Sequence, residues 1–170
     1  MAVKHMSYSI EAKKGKLSVF ILNLETNQNI NSDGYREVEL TAGYDTVIDQ
    51  FSSSLTIDTT NHRITLPSGK FYLDARLMTK ATGTGTWGSE YRWYEWDGAS
   101  KTTIGYEGRE VGALAIGDPH KNEHARGYIE SDGTAIIGLE VERTNTTVEI
   151  EDTQYDSNSG LSRCMIWRIE

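Results

Sequence analysis

The sequence is short of the residues that staple or break a chain: one cysteine, Cys164, and two prolines in 170 residues. A single thiol excludes an intramolecular disulfide, so no cross-linked framework of the small secreted kind can hold this fold. Basic charge is also scarce. Seventeen Lys and Arg face 25 Asp and Glu, a net charge of −8 with a pI near 5.0. Phosphate backbones and anionic lipids both select basic surfaces, so the expected partners include neither nucleic acid nor membrane. The balance fits a protein that docks on a basic surface. No run reaches the roughly 18 apolar residues of a membrane span. Mean hydropathy is −0.52, and Met1 to Ser7 lacks the apolar core of a signal peptide. Helical periodicity and internal repeats are missing as well.

Alternation of two residues is what the chain has in quantity. Leu17 to Leu24 carries apolar side chains on both faces. In Lys70 to Thr79, Phe71, Leu73, Ala75 and Leu77 share one face, with Asp74 and Arg76 on the other. Leu55-Thr56-Ile57 leads into Asp58-Thr59-Thr60-Asn61, and Arg63-Ile64-Thr65-Leu66 returns, a hairpin pattern. Asp97-Gly98 ends an aromatic strand over Glu90–Trp96. Val47, Ile48 and Phe51 mark a further strand or one helical turn, and Ala81 to Ser89 reads as a loop. Arg126–Glu130 is expected to pair with Thr134–Glu142 across Ser131-Asp132-Gly133, with Ile137, Leu139 and Val141 inward. The last strand, Arg163 to Ile169, is apolar on both faces and so reads as a covered, central strand. About ten short strands with turn signals between them predict an all-β sandwich or barrel. Residues 1–34 read as an N-terminal arm and strand, and 35–170 as the main domain.

Aromatic residues are concentrated. Tyr91, Trp93, Tyr94 and Trp96 lie within six residues, and alternation puts Tyr91 and Trp93 on one face, Tyr94 and Trp96 on the other. One pair can line a core. The other needs a cover, from a partner or from the 81–89 loop, because soluble monomers seldom expose large apolar patches.

The candidate chemistry is thin. His120-Lys121-Asn122-Glu123-His124 matches H-x-x-E-H, but zinc hydrolysis needs that motif on a sustained helix with a further ligand, and no helical pattern surrounds it. An exposed polar loop is the favoured reading, with a loose site on Asp118, His120 and His124 as the alternative. Asp58, Asp97, Asp132, Asp152 and Asp156 fall in turns, where Asp is ordinary and where calcium could also bind. Glu140, Glu142, Glu149 and Glu151 read as a solvated face. Cys164 sits inside an apolar strand and no G-x-S-x-G occurs. No enzyme, catalytic residue, metal or cofactor is expected.

Four segments from about Phe51 to Glu170 together carry a family likeness: Ile64 to Leu73, with its Leu66-Pro67-Ser68-Gly69 lead-in; Glu90 to Gly98; Thr134 to Val141; and Ser162 to Ile169. In this order they resemble the trimeric jelly-roll family of tumour necrosis factor (TNF) and the complement collagen-like heads. The resemblance implies a TNF-like jelly-roll β-sandwich and a homotrimer. Without a signal peptide, membrane stalk or Gly-X-Y stretch, the chain looks more like the stand-alone versions in tailed bacteriophages, which serve as capsid decoration proteins or fibre tips. The expectation is therefore a virion structural protein on the capsid surface, assembled in the host cytoplasm and bound to the major capsid protein. The alternative is a receptor- or carbohydrate-binding fibre tip, with Trp87, Tyr94 and Trp96 stacking on sugars. Tyr91, Trp93, Tyr94, Trp96, Met165 and Trp167 are the expected trimer interface. Lys13, Lys14, Lys16 and Phe20 are the expected capsid-docking residues.

Overall fold

The computed structural model describes residues 16–24, 28–31, 34–52, 54–81, 87–112, 121–143, 147–150 and 162–169. Among them are fifteen strands and no helix. In chain order these are β1 (Ser18–Leu24), β2 (Gln28–Ile30), β3 (Arg36–Glu37), β4 (Leu40–Asp49), β5 (Thr56–Asp58), β6 (Arg63–Thr65), β7 (Ser68–Arg76) and β8 (Thr79–Ala81). They continue with β9 (Trp87–Trp96), β10 (Lys101–Gly112), β11 (Lys121–Glu123), β12 (Ala125–Asp132), β13 (Ile136–Arg143), β14 (Val148–Ile150) and β15 (Arg163–Arg168).

Ten of them form a continuous ladder, β4-β1-β15-β7-β12-β10-β9-β13-β6-β5. All its pairings are antiparallel. It folds into two five-stranded leaves. The first is β4-β1-β15-β7-β12 and the second β10-β9-β13-β6-β5. They join along a seam where β10 meets β12 through Tyr106 opposite Arg126. The core lies between the leaves because the inward positions of each alternate as the sequence predicts. Phe20, Leu22, Phe71, Leu73, Ala75, Cys164 and Ile166 meet Tyr91, Trp93, Ile137, Leu139, Val141 and Ile64, all fully buried. A small sheet, β2-β14-β8, adds Ile30, Val148 and Ile150 to this core. It is tied to β10 where the buried Glu110 carboxylate accepts from the Thr79 amide and hydroxyl. The fold class is therefore all-β, a jelly-roll sandwich.

One expected pairing changes, and one open alternative is settled. Arg126–Glu130 does not pair with the strand that follows it. β12 pairs with β7 across the first leaf, whereas β13 pairs with β9 and β6 in the second. The Ser131–Gly133 turn thus crosses between leaves, because the inward faces of both strands are apolar and each needs a separate side of the core. Val47 and Ile48 belong to one long strand, β4, and not to a helical turn. Residues 28–30 form β2 against β14. The closing strand β15 is central, flanked by β1 and β7.

The seam depends on a bulge. Between Ile104 and Gly108 the register of β10 on β9 slips by two residues. Gly105 occupies the left-handed region there at φ 72°. A Cβ at Gly105 would run into the Arg126 carbonyl oxygen. Both facts require glycine. Gly105→Ala is expected to cost about 2 kcal/mol or more, from left-handed strain plus that clash, and urea denaturation would measure it.

The turns carry their own acid sensitivity. Asp97 accepts from the Ser100 amide, the Ser100 hydroxyl and the Ala99 amide, which hold its carboxyl down at about 2. Asp58 is lowered by Asn61 and Thr60, and Asp132 by Thr134. A carboxyl whose folded pKa is depressed stabilises the fold above its unfolded pKa and loses that contribution as pH falls towards the folded value. The thermal midpoint should hold from neutral pH to about 5 and then fall between about pH 4 and 2. Asp97→Asn should flatten part of that slope in melts followed by circular dichroism.

Candidate functional surface

The two leaves treat their outer faces differently. On the second leaf, β9 presents Arg92, Tyr94 and Trp96 outward, opposite Gly138 and Glu140 of β13. Glu140 is almost wholly buried, yet both its oxygens are held: Arg92 Nε at 2.7 Å and Lys101 Nζ at 2.7 Å. Lys101 also pairs with Glu37 at 2.9 Å, and Arg63 approaches Glu37 at 3.8 Å. Burial alone would raise the Glu37 carboxyl. The Lys101 hydrogen bond and the charges of Lys101 and Arg63 outweigh it and hold the group below its ordinary value. The cations also cover the rings. Arg63 stacks 3.8 Å from the Trp96 centroid, Lys101 lies 4.6 Å from Tyr94, and Arg92 lies 3.8 Å from Tyr35. Tyr35, beside these groups, has its phenol pushed up to about 12 by burial and by Glu107 and Glu142. Gly138 leaves the space that the Tyr94 phenol fills, because a Cβ there would strike the ring.

This sealed face corrects most of the aromatic interface expected from the sequence. Tyr91 and Trp93 are core residues, and Tyr94 is fully buried on the outer face of the same chain. None of the three retains surface for a second subunit. Trp96 is half-buried beneath Arg63. For the same reason Tyr94 and Trp96 offer no open platform for a sugar, and the Trp87 side chain lies outside the described residues. Phe20 is no docking contact either, since it is buried edge-on against Tyr44 at 5.5 Å. Lys13 and Lys14 lie outside the described residues. Lys16 is exposed, its ammonium 5.8 Å from the Phe51 ring, which Arg168 also approaches at 4.2 Å.

The outer face of the first leaf is the open one. Register aligns Ile48, Val19, Trp167, Tyr72 and Tyr128 in a single row across β4, β1, β15, β7 and β12. Trp167 and Tyr72 meet edge to face at 6.3 Å. The Trp167 indole N–H is covered without an acceptor among the described residues. Tyr128 remains 49% exposed and Ile48 39%. A second row runs Asp45, Ile21, Met165, Asp74, Arg126, Tyr106. Here Asp74 Oδ1 contacts His124 Nδ1 at 2.8 Å and Arg126 Nε at 3.6 Å. Of the expected interface residues, only Met165 and Trp167 lie on this face, both half-buried. Tyr72, Tyr128, Ile48 and Tyr106 were missed. For two of them the signal is an aromatic at the polar phase of an amphipathic strand, Tyr72 between Lys70 and Asp74 and Tyr128 between Arg126 and Glu130.

The H-x-x-E-H segment is no helix in its described part. Lys121–Glu123 forms β11, and His124 turns to Asp74. His120 and Asp118 lie outside the described residues. Among the described residues no group of three His, Cys, Asp or Glu is placed to hold a metal. Burial pushes the Cys164 thiol up, away from the thiolate that nucleophilic chemistry requires. An open depression over Glu95, Glu130, Asp132 and Thr134 is lined by acidic side chains. Glu140→Ala would leave Arg92 and Lys101 facing each other over a buried gap and is expected to destabilise by about 2–3 kcal/mol, measured by urea denaturation.

No family model and no curated protein sequence matches the chain. Solved structures do. Murine APRIL at pH 8.0 superposes with a TM-score of 0.51 at 14% identity, covering 90% of this chain and 99% of that one. Eiger TNF from S. frugiperda gives 0.51 at 9% identity, covering 92% and 93%. At such identities the likeness concerns architecture alone: the chain has the TNF-like jelly-roll fold.

Proposed function

We propose that this chain is a structural assembly protein, a homotrimer that decorates or cements a bacteriophage capsid. The observation that carries the self-association is the aromatic row Trp167–Tyr72–Tyr128 on the outer face of the first leaf. Its rings are large and rigid, they lie outside the core, and one chain covers them only in part. That is the composition of an interface centre. The family likeness supports three copies around an axis. A virion role rests on the sequence resemblance to stand-alone phage jelly rolls. It is supported by multivalency, since three subunits on a threefold site multiply weak contacts. The arm at residues 1–16, with Lys13, Lys14 and Lys16, is the docking element in this reading. Binding uses a surface and not a pocket, so the protein is no enzyme and needs no cofactor. The fibre-tip alternative loses two of its three stacking rings, because Tyr94 is buried and Trp96 lies under Arg63.

Sedimentation equilibrium of the wild type should give three times the 19.0 kDa chain mass. Tyr128→Asp should shift it to monomer with unchanged circular dichroism. Electron microscopy of purified particles should place the protein on the head in high copy, and a few copies at the tail would favour the fibre tip instead. Removal of residues 1–16 should weaken attachment to the head without altering the trimer, and undiminished attachment would discard the arm as the docking element.

A further inference from the structure

The outer face of the first leaf holds a basic row besides the aromatic one. Arg163 on β15 stands directly opposite Arg76 on β7. Their chain neighbours Cys164 and Ala75 are fully buried in the core. Alternation therefore turns both arginines outward, and both are exposed. His124, immediately before β12, and Arg126 within it add two more basic side chains, 33% and 54% exposed. Arg163 lies four residues from Trp167 along β15, about 13 Å from the aromatic row at the usual strand rise.

This gathering carries a cost that the chain leaves unrelieved. Like charges directly opposite each other on neighbouring strands destabilise a sheet. With 25 Asp and Glu against 17 Lys and Arg, carboxylate partners are plentiful. On the second leaf Arg63, Arg92, Lys101 and Arg109 each have one. Beside the Arg163–Arg76 pair the carboxylate in reach of the basic groups is Asp74, and it is engaged by His124 at 2.8 Å and Arg126 at 3.6 Å. Among the described residues the Arg163 side chain has no hydrogen bond or ion pair. The Arg76 side chain has the Met78 thioether, 3.4 Å from Nη2, as its acceptor. Two unneutralised guanidinium groups, side by side on a face with room above them, are the donors of an anion site.

We propose that Arg76 and Arg163 bind a single tetrahedral dianion, phosphate or sulfate, with Arg126 and His124 at the margin of the site. Opposite residues of antiparallel strands have Cα atoms about 4.5–5.5 Å apart, close enough for two guanidinium forks to converge on one ion. Each fork offers N–H donors spaced to match two oxygens of such an anion. The ion supplies the missing counter-charge and turns a repulsive pair into a bridge between β15 and β7. Its surroundings limit it to a small ion. A longer polyanion running down the strands would meet the Asp74 carboxylate and Met165 and then the Trp167–Tyr72 pair. The site lies within one chain and does not depend on the self-association proposed above.

Titration calorimetry with sodium phosphate, at ionic strength held constant with sodium chloride, tests this on the full chain. The wild type should bind one phosphate per chain, saturably, and its thermal midpoint should rise with phosphate but not with chloride of equal ionic strength. Arg163→Gln and Arg76→Gln should each lower phosphate affinity about tenfold or more. Arg109→Gln, which removes the same unit charge from the second leaf, should leave that affinity unchanged. In phosphate-free buffer of low salt Arg163→Gln should melt no lower than the wild type, because it relieves the like-charge opposition. Absence of saturable phosphate binding by the wild type overturns the site. So does an equal loss of affinity in Arg109→Gln and Arg163→Gln, which would reduce the effect to general charge screening. Each variant changes an exposed side chain, and circular dichroism checks that its fold is kept.

Discussion

A strand in a two-leaf sandwich can turn only one of its faces into the core, and the leaf around β15 is apolar on both. Phe20, Phe71, Leu73 and Ile166 fill the inside. Val19, Trp167, Tyr72 and Met165 stand on the outside of the same strands. Because β15 is central, flanked by β1 and β7, this second apolar face cannot be disposed of at an edge. It must be covered from within or shared with another copy, and the organisation of the surface follows from that.

The second leaf meets the same demand from within. Its outer aromatics, Tyr94 and Trp96, lie under Lys101 and Arg63, and those cations are fixed by Glu140 and Glu37. A nearly buried carboxylate is costly to desolvate unless it is paired on both oxygens. Glu140 is paired so, by Arg92 and Lys101. The network therefore works as a lid of ion pairs over rings, and it leaves no apolar surface of Tyr94 for a partner. On the first leaf no comparable lid covers the row among the described residues. Arg126 and His124 gather on Asp74 beside it, and Tyr128 stays half open. One leaf is closed by charge, and the other is left for company.

Much of this was legible in the residues. The inward phase of β7 and β13, the hairpin of β5 and β6 and the apolar character of both faces of the last strand all follow from alternation, a local property. The face assignment of Tyr91 and Trp93 against Tyr94 and Trp96 was likewise local, and the structure keeps it. What failed was non-local. Ser131-Asp132-Gly133 looks like a hairpin turn, yet it carries the chain from one leaf to the other, because strand partners are chosen by core geometry and not by the turn. The aromatic cluster at 91–96 looked like surplus because a sequence shows neither Arg63 nor Lys101 arriving from other strands to cover it. Tyr72 and Tyr128 were passed over because each stands alone in its own strand, and only register makes them neighbours.

By itself, then, the order of residues determined the all-β class, the inward phase of most strands and the absence of a disulfide framework, since each of these depends on side chains a few positions apart or on composition. Only the tertiary structure decided which aromatic surface stays open. That depends on which strands lie side by side, on where cations from distant segments come to rest, and on a bulge that aims Tyr106 outward. Those are relations between residues far apart in the chain, and alternation carries no record of them.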